Sequence, residues 1–249
     1  VITMIVPSIA CSKTGNNGPI DPIQPEPPAL VVDVMEAPYR AAGDGITSDR
    51  AIIQRAICDV SKLGGGVVQL TAGHTFLSGN LYLENNVELR FGDGARLIQN
   101  PNEDDYVYPI DEVDKDGTEH KIGDPWIPEK GSHYSGDTQF AQSPWNHAFV
   151  WNFPFIFARQ GLDNVGITGK GTITMWHDNC ASAIHLMVFA CYDVTNVTLS
   201  DFTVDGHNGW TMETINSKNI LVKNVTIKGF QCGCTDGLHI IECQDVRVT

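Results

Sequence analysis

The chain is short of positive charge. Lysine and arginine total 16 against 30 aspartates and glutamates, a formal net charge of -14 with a pI near 4.8. Nucleic-acid binding draws on a basic footprint, so that class is excluded, although a basic cleft for an anionic polysaccharide can still sit on an acidic protein. Long apolar runs are also missing. The most apolar stretch, residues 1 to 10, is too short to span a bilayer. No phosphate loop, GxSxG elbow or HExxH occurs. The seven cysteines (Cys11, Cys58, Cys180, Cys191, Cys232, Cys234 and Cys243) form no paired CxxC pattern, and their odd number leaves at least one outside any internal disulfide. Most of them read as small buried hydrophobes, and neither a metal nor a cofactor is expected.

What is present is glycine (24), proline (13) and short apolar segments, in a chain that is 42% hydrophobic and 18% charged. That is a globular composition rich in turns. The first eleven residues read as the remnant of a signal peptide. Ser8-Ile9-Ala10-Cys11 resembles a bacterial lipobox, which makes Cys11 the candidate lipidation site and the only expected contact with a membrane. Residues 12 to 29 have the polar, Pro/Gly-rich composition of a tether. The folded part is expected over residues 30 to 249.

One amphipathic helix is expected between Asp49 and about Leu63. Ile52, Ile53, Ala56, Ile57 and Val60 form its apolar stripe, Ser48 can cap its start, and Gly64-Gly65-Gly66 ends it. From there the period changes to two. Val67 to Leu70, Phe76-Leu77, Leu81 to Leu83, Val87 to Leu89 and Ala95 to Ile98 read as short strands broken by Gly, Asn or Asp.

A motif then recurs: Asn or Asp, an aliphatic residue, any residue, an aliphatic residue. It starts at Asn164, Asn196, Asn219 and Asp245. Repetition on this scale points to a solenoid, in which inward aliphatics bury only against the coils above and below. The Asn or Asp suits a turn position with positive φ. The helix then covers one open end of the stack. Residues 101 to 152 break the rhythm and carry Tyr106, Tyr108, Trp126, Tyr134, Trp145 and Trp151, aromatics suited either to stacking on sugars or to packing the loop down.

Several stretches resemble glycoside hydrolase family 28, the polygalacturonase family. They are residues 41 to 106 (AAGDGITSDRAIIQRAICDVSKLGGG and onward), residues 154 to 173 (PFIFARQGLDNVGITGKGTI), Asn208 to Trp210, which is similar to an SPxW segment, and Thr235-Asp236-Gly237, which is similar to NTDG. The resemblance implies a right-handed parallel β-helix. It also implies inverting hydrolysis of pectin-type polysaccharide, polygalacturonan or rhamnogalacturonan, by clustered aspartates. Asp236 takes the first of those positions. An Asp-Asp pair and the later Gly-His-Gly and Arg-x-Lys motifs would fall past Thr249, so residues 1 to 249 alone are expected to be inactive. Three departures shift the expected sugar rather than the fold: Cys234 in place of Asn, His239 where an acidic residue is common, and Thr174-Met175-Trp176 in place of Asp-Gly-x-Gly.

His207, Trp210 and His239 are the candidate substrate-binding residues. Asp201, Asp205 and Glu213 read as solvated or turn carboxylates. Lys218, Lys223, Lys228 and Arg247 read as a basic ladder facing an anionic sugar, or as charges that balance the surface. A secreted or cell-envelope monomer is expected, with a polysaccharide as its partner. Other β-helix carbohydrate enzymes (a lyase or an epimerase) and a non-catalytic glycan-binding β-helix remain alternatives.

Overall fold

The computed structural model describes residues 30–106, 153–158, 161–175, 186–207, 210–230 and 236–249. The expected signal remnant with Cys11 and the tether lie outside the described residues. So do all the loop aromatics except Tyr106.

Eighteen strands and one α-helix are described. The first coil comprises β1 (Val31–Asp33), β2 (Asp44–Ser48) and α1 (Arg50–Lys62). Then come β3 (Gly66–Leu70), β4 (Thr75–Ser78), β5 (Leu81–Leu83), β6 (Val87–Phe91), β7 (Arg96–Gln99), β8 (Phe153–Ala158), β9 (Asp163–Gly169) and β10 (Thr172–Thr174). The last coils supply β11 (Leu186–Tyr192), β12 (Thr195–Ser200), β13 (Thr203–His207), β14 (Met212–Ile215), β15 (Lys218–Lys223), β16 (Thr226–Phe230), β17 (Leu238–Ile241) and β18 (Gln244–Val248). They stack into three parallel sheets. Sheet A runs β1-β3-β6-β9-β12-β15-β18, sheet B runs β16-β13-β10-β7-β4-β2, and sheet C runs β17-β14-β11-β8-β5. The fold is a right-handed parallel β-helix, as expected.

Period-two alternation builds the core. In sheet A, Val68, Leu89, Ile167, Leu199 and Val222 stack in one inward row. Sheet B supplies Phe76, Leu97, Ile173 and Val204, and sheet C supplies Leu81, Ile156, Phe189 and Met212. Each row exists only because parallel pairing sets like positions at about 4.8 Å from coil to coil.

The recurring Asn/Asp occupies the turn that enters sheet A. Asn164, Asn196, Asn219 and Asp245 all have positive φ, between 55° and 59°. Their side chains climb the stack: Asn164 Nδ2 donates to Asn86 Oδ1 (3.3 Å), Asn196 Nδ2 to Asp163 Oδ1 (2.7 Å), and Asn219 Nδ2 to Asn196 Oδ1 (3.0 Å). Short carboxamides tolerate the left-handed region and satisfy one another there.

The helix caps the stack. Ile53, Ala56, Ile57 and Val60 are fully buried beneath it. Its polar side chains also finish the edge of β5. Tyr82 N–H donates to Gln54 Oε1 (2.8 Å), and Gln54 Nε2 donates to Tyr82 C=O (3.0 Å), so one carboxamide replaces a missing strand. The expected Ser48 cap survives only as a long contact, the Arg50 N–H donating to Ser48 Oγ at 3.4 Å; the N-cap residue is Asp49, and the Ser48 hydroxyl itself donates to Asp105 Oδ2 (2.7 Å). Asp49 is buried and accepts from the backbone N–H groups of Ala42 (2.6 Å) and Gly43 (3.0 Å), tying the Gly43-Asp44-Gly45 turn to the helix start. Burial raises its carboxyl above the usual range in spite of those two bonds. Gly65 has φ 111°, and a Cβ there would lie 2.3 Å from Asn86 Cβ, so glycine is required where the helix turns into the solenoid.

Two expectations are corrected. The four cations form no ladder: Lys218 and Lys223 sit on the same strand, β15, Lys228 is on β16 in sheet B, and Arg247 is opposite Leu221. The irregular coil lengths that mislead a count along the chain are absorbed at the turns. Glu213 is no solvated carboxylate either, being only 4% exposed. Tyr106 packs rather than stacks outward. It is fully buried, its hydroxyl donates to Asn100 C=O (2.6 Å), and desolvation raises its phenol well above the ordinary value.

Candidate functional site

The outer face of sheet C changes character along the stack. Leu81 and Leu83 point into the core, so Tyr82 between them points out, and the same parity places Phe157, Ala190, Glu213 and His239 in one outward row. Tyr82, Phe157, Met187 and Ala190 form a compact apolar cluster, with Tyr82 and Phe157 edge-to-face at 6.2 Å. Trp210 packs against that cluster at its far end. The row then turns polar.

His239 is the hub. Its Nε2 lies 2.9 Å from Asp236 Oδ2, and its Nδ1 lies 3.6 Å from Glu213 Oε2, within ion-pair range. Trp210 covers it with ring centroids 4.5 Å apart and a 45° tilt. In the doubly protonated ring both nitrogens donate, and each then faces a carboxylate. The two carboxylates differ in setting: the Asp236 side chain is 66% exposed and the Glu213 side chain 5%. Backbone bonds fix this geometry, since Thr211 N–H donates to Asp236 C=O (2.8 Å) and Met212 N–H to Gly237 C=O (3.2 Å). Asp236 is therefore anchored to the coil beneath it while its carboxylate faces solvent.

The sequence candidates divide accordingly. Asp236, Trp210 and His239 are brought together. His207 ends β13, a strand of sheet B, and pairs with Phe230; its side chain lies outside the described residues. Cys234 also lies outside them. Glu213 is the member that sequence reasoning missed. A signal for it exists, because the offset that pairs Asn219 with Asp245 in the repeat also pairs Trp210 with Asp236 and Glu213 with His239. Among the described residues no group of three or more His, Cys, Asp or Glu side chains is arranged to hold a metal ion. Nor is any helix among them long and apolar enough to cross a membrane.

Behind the site lies a thiol. Cys191 is fully buried beside Ser217, and desolvation pushes it up to about 12, which makes it a packing group and not a nucleophile.

No family model matches the chain. A curated relative, the plasmin and fibronectin-binding protein A of Streptococcus pneumoniae, is 26% identical over 196 residues, covering 77% of this chain but 23% of that protein. The chain thus spans under a quarter of the length of the curated relative it matches. Among solved structures, the family 28 exopolygalacturonase of Yersinia enterocolitica matches with a TM-score of 0.61 at 18% identity, over 89% of this chain and 43% of that one. The S. pneumoniae surface adhesin PfbA matches with a TM-score of 0.51 at 22% identity, over 82% of this chain and 40% of that one. At these identities the likeness is one of fold: the chain is similar to parallel β-helices found both in a polysaccharide hydrolase and in a surface adhesin.

Proposed function

We propose that this β-helix is a glycoside hydrolase that acts on pectin-type polysaccharide, polygalacturonan or rhamnogalacturonan, by inverting acid/base hydrolysis. One observation carries the reading: Asp236, His239 and Glu213 meet on facing rungs beside an aromatic ring, at the solvent end of an otherwise apolar row. Trp210 supplies a platform for a sugar ring. Asp236, exposed and bonded to His239, accepts a proton from the attacking water. His239 orients Asp236 and contacts the sugar. Inversion leaves room for that water by setting the acid and base carboxyls about 6.5–9.5 Å apart. The acid that protonates the leaving oxygen is a carboxyl other than Asp236, set across the scissile bond from it. The same reading puts the protein outside the cytoplasm, with Cys11 as a lipid anchor and residues 30 to 249 as part of the catalytic domain.

The test is release of reducing ends from polygalacturonate and rhamnogalacturonan by the gene product as the cell makes it, with Asp236→Asn alongside. Loss of one acid/base group removes about 10²–10⁴-fold of rate. An Asp236→Asn protein of full activity would sink the role given to Asp236.

A second reading has its own support, the sequence likeness to an adhesin named for plasmin and fibronectin binding. In that reading the Trp210 cluster binds a glycan or a protein without turnover. Saturable binding of pectin fragments, or of plasmin or fibronectin, with no hydrolysis by the natural product, selects it.

A further inference from the structure

We infer that the outer face of sheet A carries a second binding site, built for an uncharged sugar unit and separate from the Trp210 cluster on sheet C. The outward row of sheet A reads Val67, Glu88, Gly166, Thr198, Leu221 and Arg247 on successive coils. Gly166 is the gap in that row. Its backbone is not in the left-handed region, so the turn geometry does not demand glycine. A Cβ there would meet Thr198 C=O at 3.3 Å and Glu88 Cγ at 3.7 Å, a tight fit but not a collision with the fold. Glycine inside a strand gives up packing and entropy, and it marks places where another group comes close to the backbone.

Around it lies an open groove of about 420 Å³, lined by Asn86, Glu88, Asn164, Thr168 and Thr198 together with Val67, Val165 and the glycines 64 to 66 and 166. That size suits a small ligand. The lining decides which one. Asn164 Nδ2 donates to Asn86 Oδ1 (3.3 Å), which leaves the Asn86 amide N–H groups as donors and the Asn164 carbonyl as an acceptor. The Thr198 hydroxyl adds one of each. Charge is already settled within the wall: Arg90 Nε and Nη2 grip both oxygens of Glu88 at 2.7 and 2.9 Å, and the Thr168 hydroxyl donates to the same carboxylate. Burial raises the Glu88 carboxyl, but these bonds outweigh it and hold the group below its usual range, so it stays ionised and paired. The groove therefore offers neutral donors and acceptors beside one carboxylate that is already paired, on a protein of net charge -14. Hydroxyl-rich neutral rings fit that chemistry, and uronates do not. The inference does not depend on the hydrolase reading, since none of the lining residues belongs to the sheet C cluster.

The experiment is titration calorimetry with cellotriose, xylotriose and maltotriose, and with trigalacturonate as the charged counterpart. The wild type is compared with Gly166→Val, Thr198→Val and Trp210→Ala, each checked for an unchanged thermal midpoint. At least one neutral trisaccharide is expected to bind saturably. Gly166→Val, which fills the gap, should weaken it at least about tenfold, and Thr198→Val, which removes one hydrogen-bonding hydroxyl, should weaken it by roughly threefold to tenfold. Binding to the groove should persist in Trp210→Ala, since the two sites share no contacts, and only binding to the sheet C cluster should be lost in that variant. If Gly166→Val fails to fold, Thr198→Val decides. Three results would overturn the proposal: no saturable binding of any neutral trisaccharide, binding abolished by Trp210→Ala but kept in Thr198→Val, or trigalacturonate bound more tightly than every neutral sugar and lost in Thr198→Val.

Discussion

Sheets A and C are built from the same coils, yet their outer faces have gone opposite ways. On sheet C the outward row fills with large groups: Tyr82 and Phe157 pack together, and then Glu213, His239 and Trp210 clasp one another. On sheet A the row holds a carboxylate already satisfied by its own strand, then a glycine, then a threonine, and the result is a groove. Inside, the two sheets are interchangeable, each with rows of aliphatic residues in register. The lesson is physical. Inward positions are constrained by the coil above and the coil below, so they repeat. Outward positions see neighbours only along the face, so they are free to carry chemistry.

The contrast between inside and outside breaks most visibly with Asp236→Asn. In the hydrolase reading proposed above it is expected to remove about 10²–10⁴-fold of polysaccharide hydrolysis by the natural gene product, while the denaturant midpoint stays near that of the wild type, because an exposed side chain adds little to the core. A large loss of stability would make Asp236 a fold residue instead.

The opposite behaviour is expected of Leu199→Ala. Leu199 is fully buried between Ile167 and Val222 in the inward row of sheet A. Truncation should cost about 2–5 kcal/mol in urea unfolding, from lost transfer energy plus the cavity. A value below about 1 kcal/mol would mean that the row is not continuous.

The turn ladder tests the boundary between the two faces. Asn196 has φ 59°, donates to Asp163 and accepts from Asn219. Asn196→Ala is expected to cost about 1–2 kcal/mol, because alanine lacks the carboxamide that makes the left-handed region tolerable and bonds Asp163 and Asn219 there. Asn196→Gly should cost less, since glycine takes that φ freely. Equal losses would assign the whole effect to the side-chain bonds.

The smallest effect is expected on the outer face of sheet A. The Glu88 carboxyl is held below its usual value, so its folded pKa lies under its unfolded one. The stability this contributes is present above the unfolded value and is lost as pH falls through the folded value. The pair is partly exposed, with side chains 40% and 30% accessible, which limits the term to below about 1 kcal/mol. Glu88→Gln should therefore be slightly less stable than the wild type at pH 7, and the difference should begin to shrink as pH falls through the unfolded carboxyl value of about 4.3 and vanish below the lowered folded value. A difference that grew on acidification would reverse the sign assigned here.

Much of this was legible in the sequence, though unevenly. The helix stripe from Ile53 to Val60, the period-two strands and the Asn/Asp motif led to a capped parallel solenoid, because each is a local pattern with one dominant burial solution. Asp236, Trp210 and His239 were legible as candidates, and they do meet. Glu213 was not, and the supposed ladder of Lys218, Lys223, Lys228 and Arg247 dissolved once the strands were placed. Both misreadings have one cause. Coils here differ in length, so a spacing holds only within its own coil, and the offset from Asn219 to Asp245 had to be applied there to bring Glu213 to His239.

The sequence by itself determined the inward half of the protein. Alternation sets which residues are buried, and positive-φ Asn and Asp set where each coil turns, and both act within a few residues. Only the tertiary structure decided the outward half. Which side chains become neighbours across a parallel sheet depends on register between strands more than twenty residues apart, and it was register that set His239 over Glu213 and left Gly166 as a gap between Glu88 and Thr198.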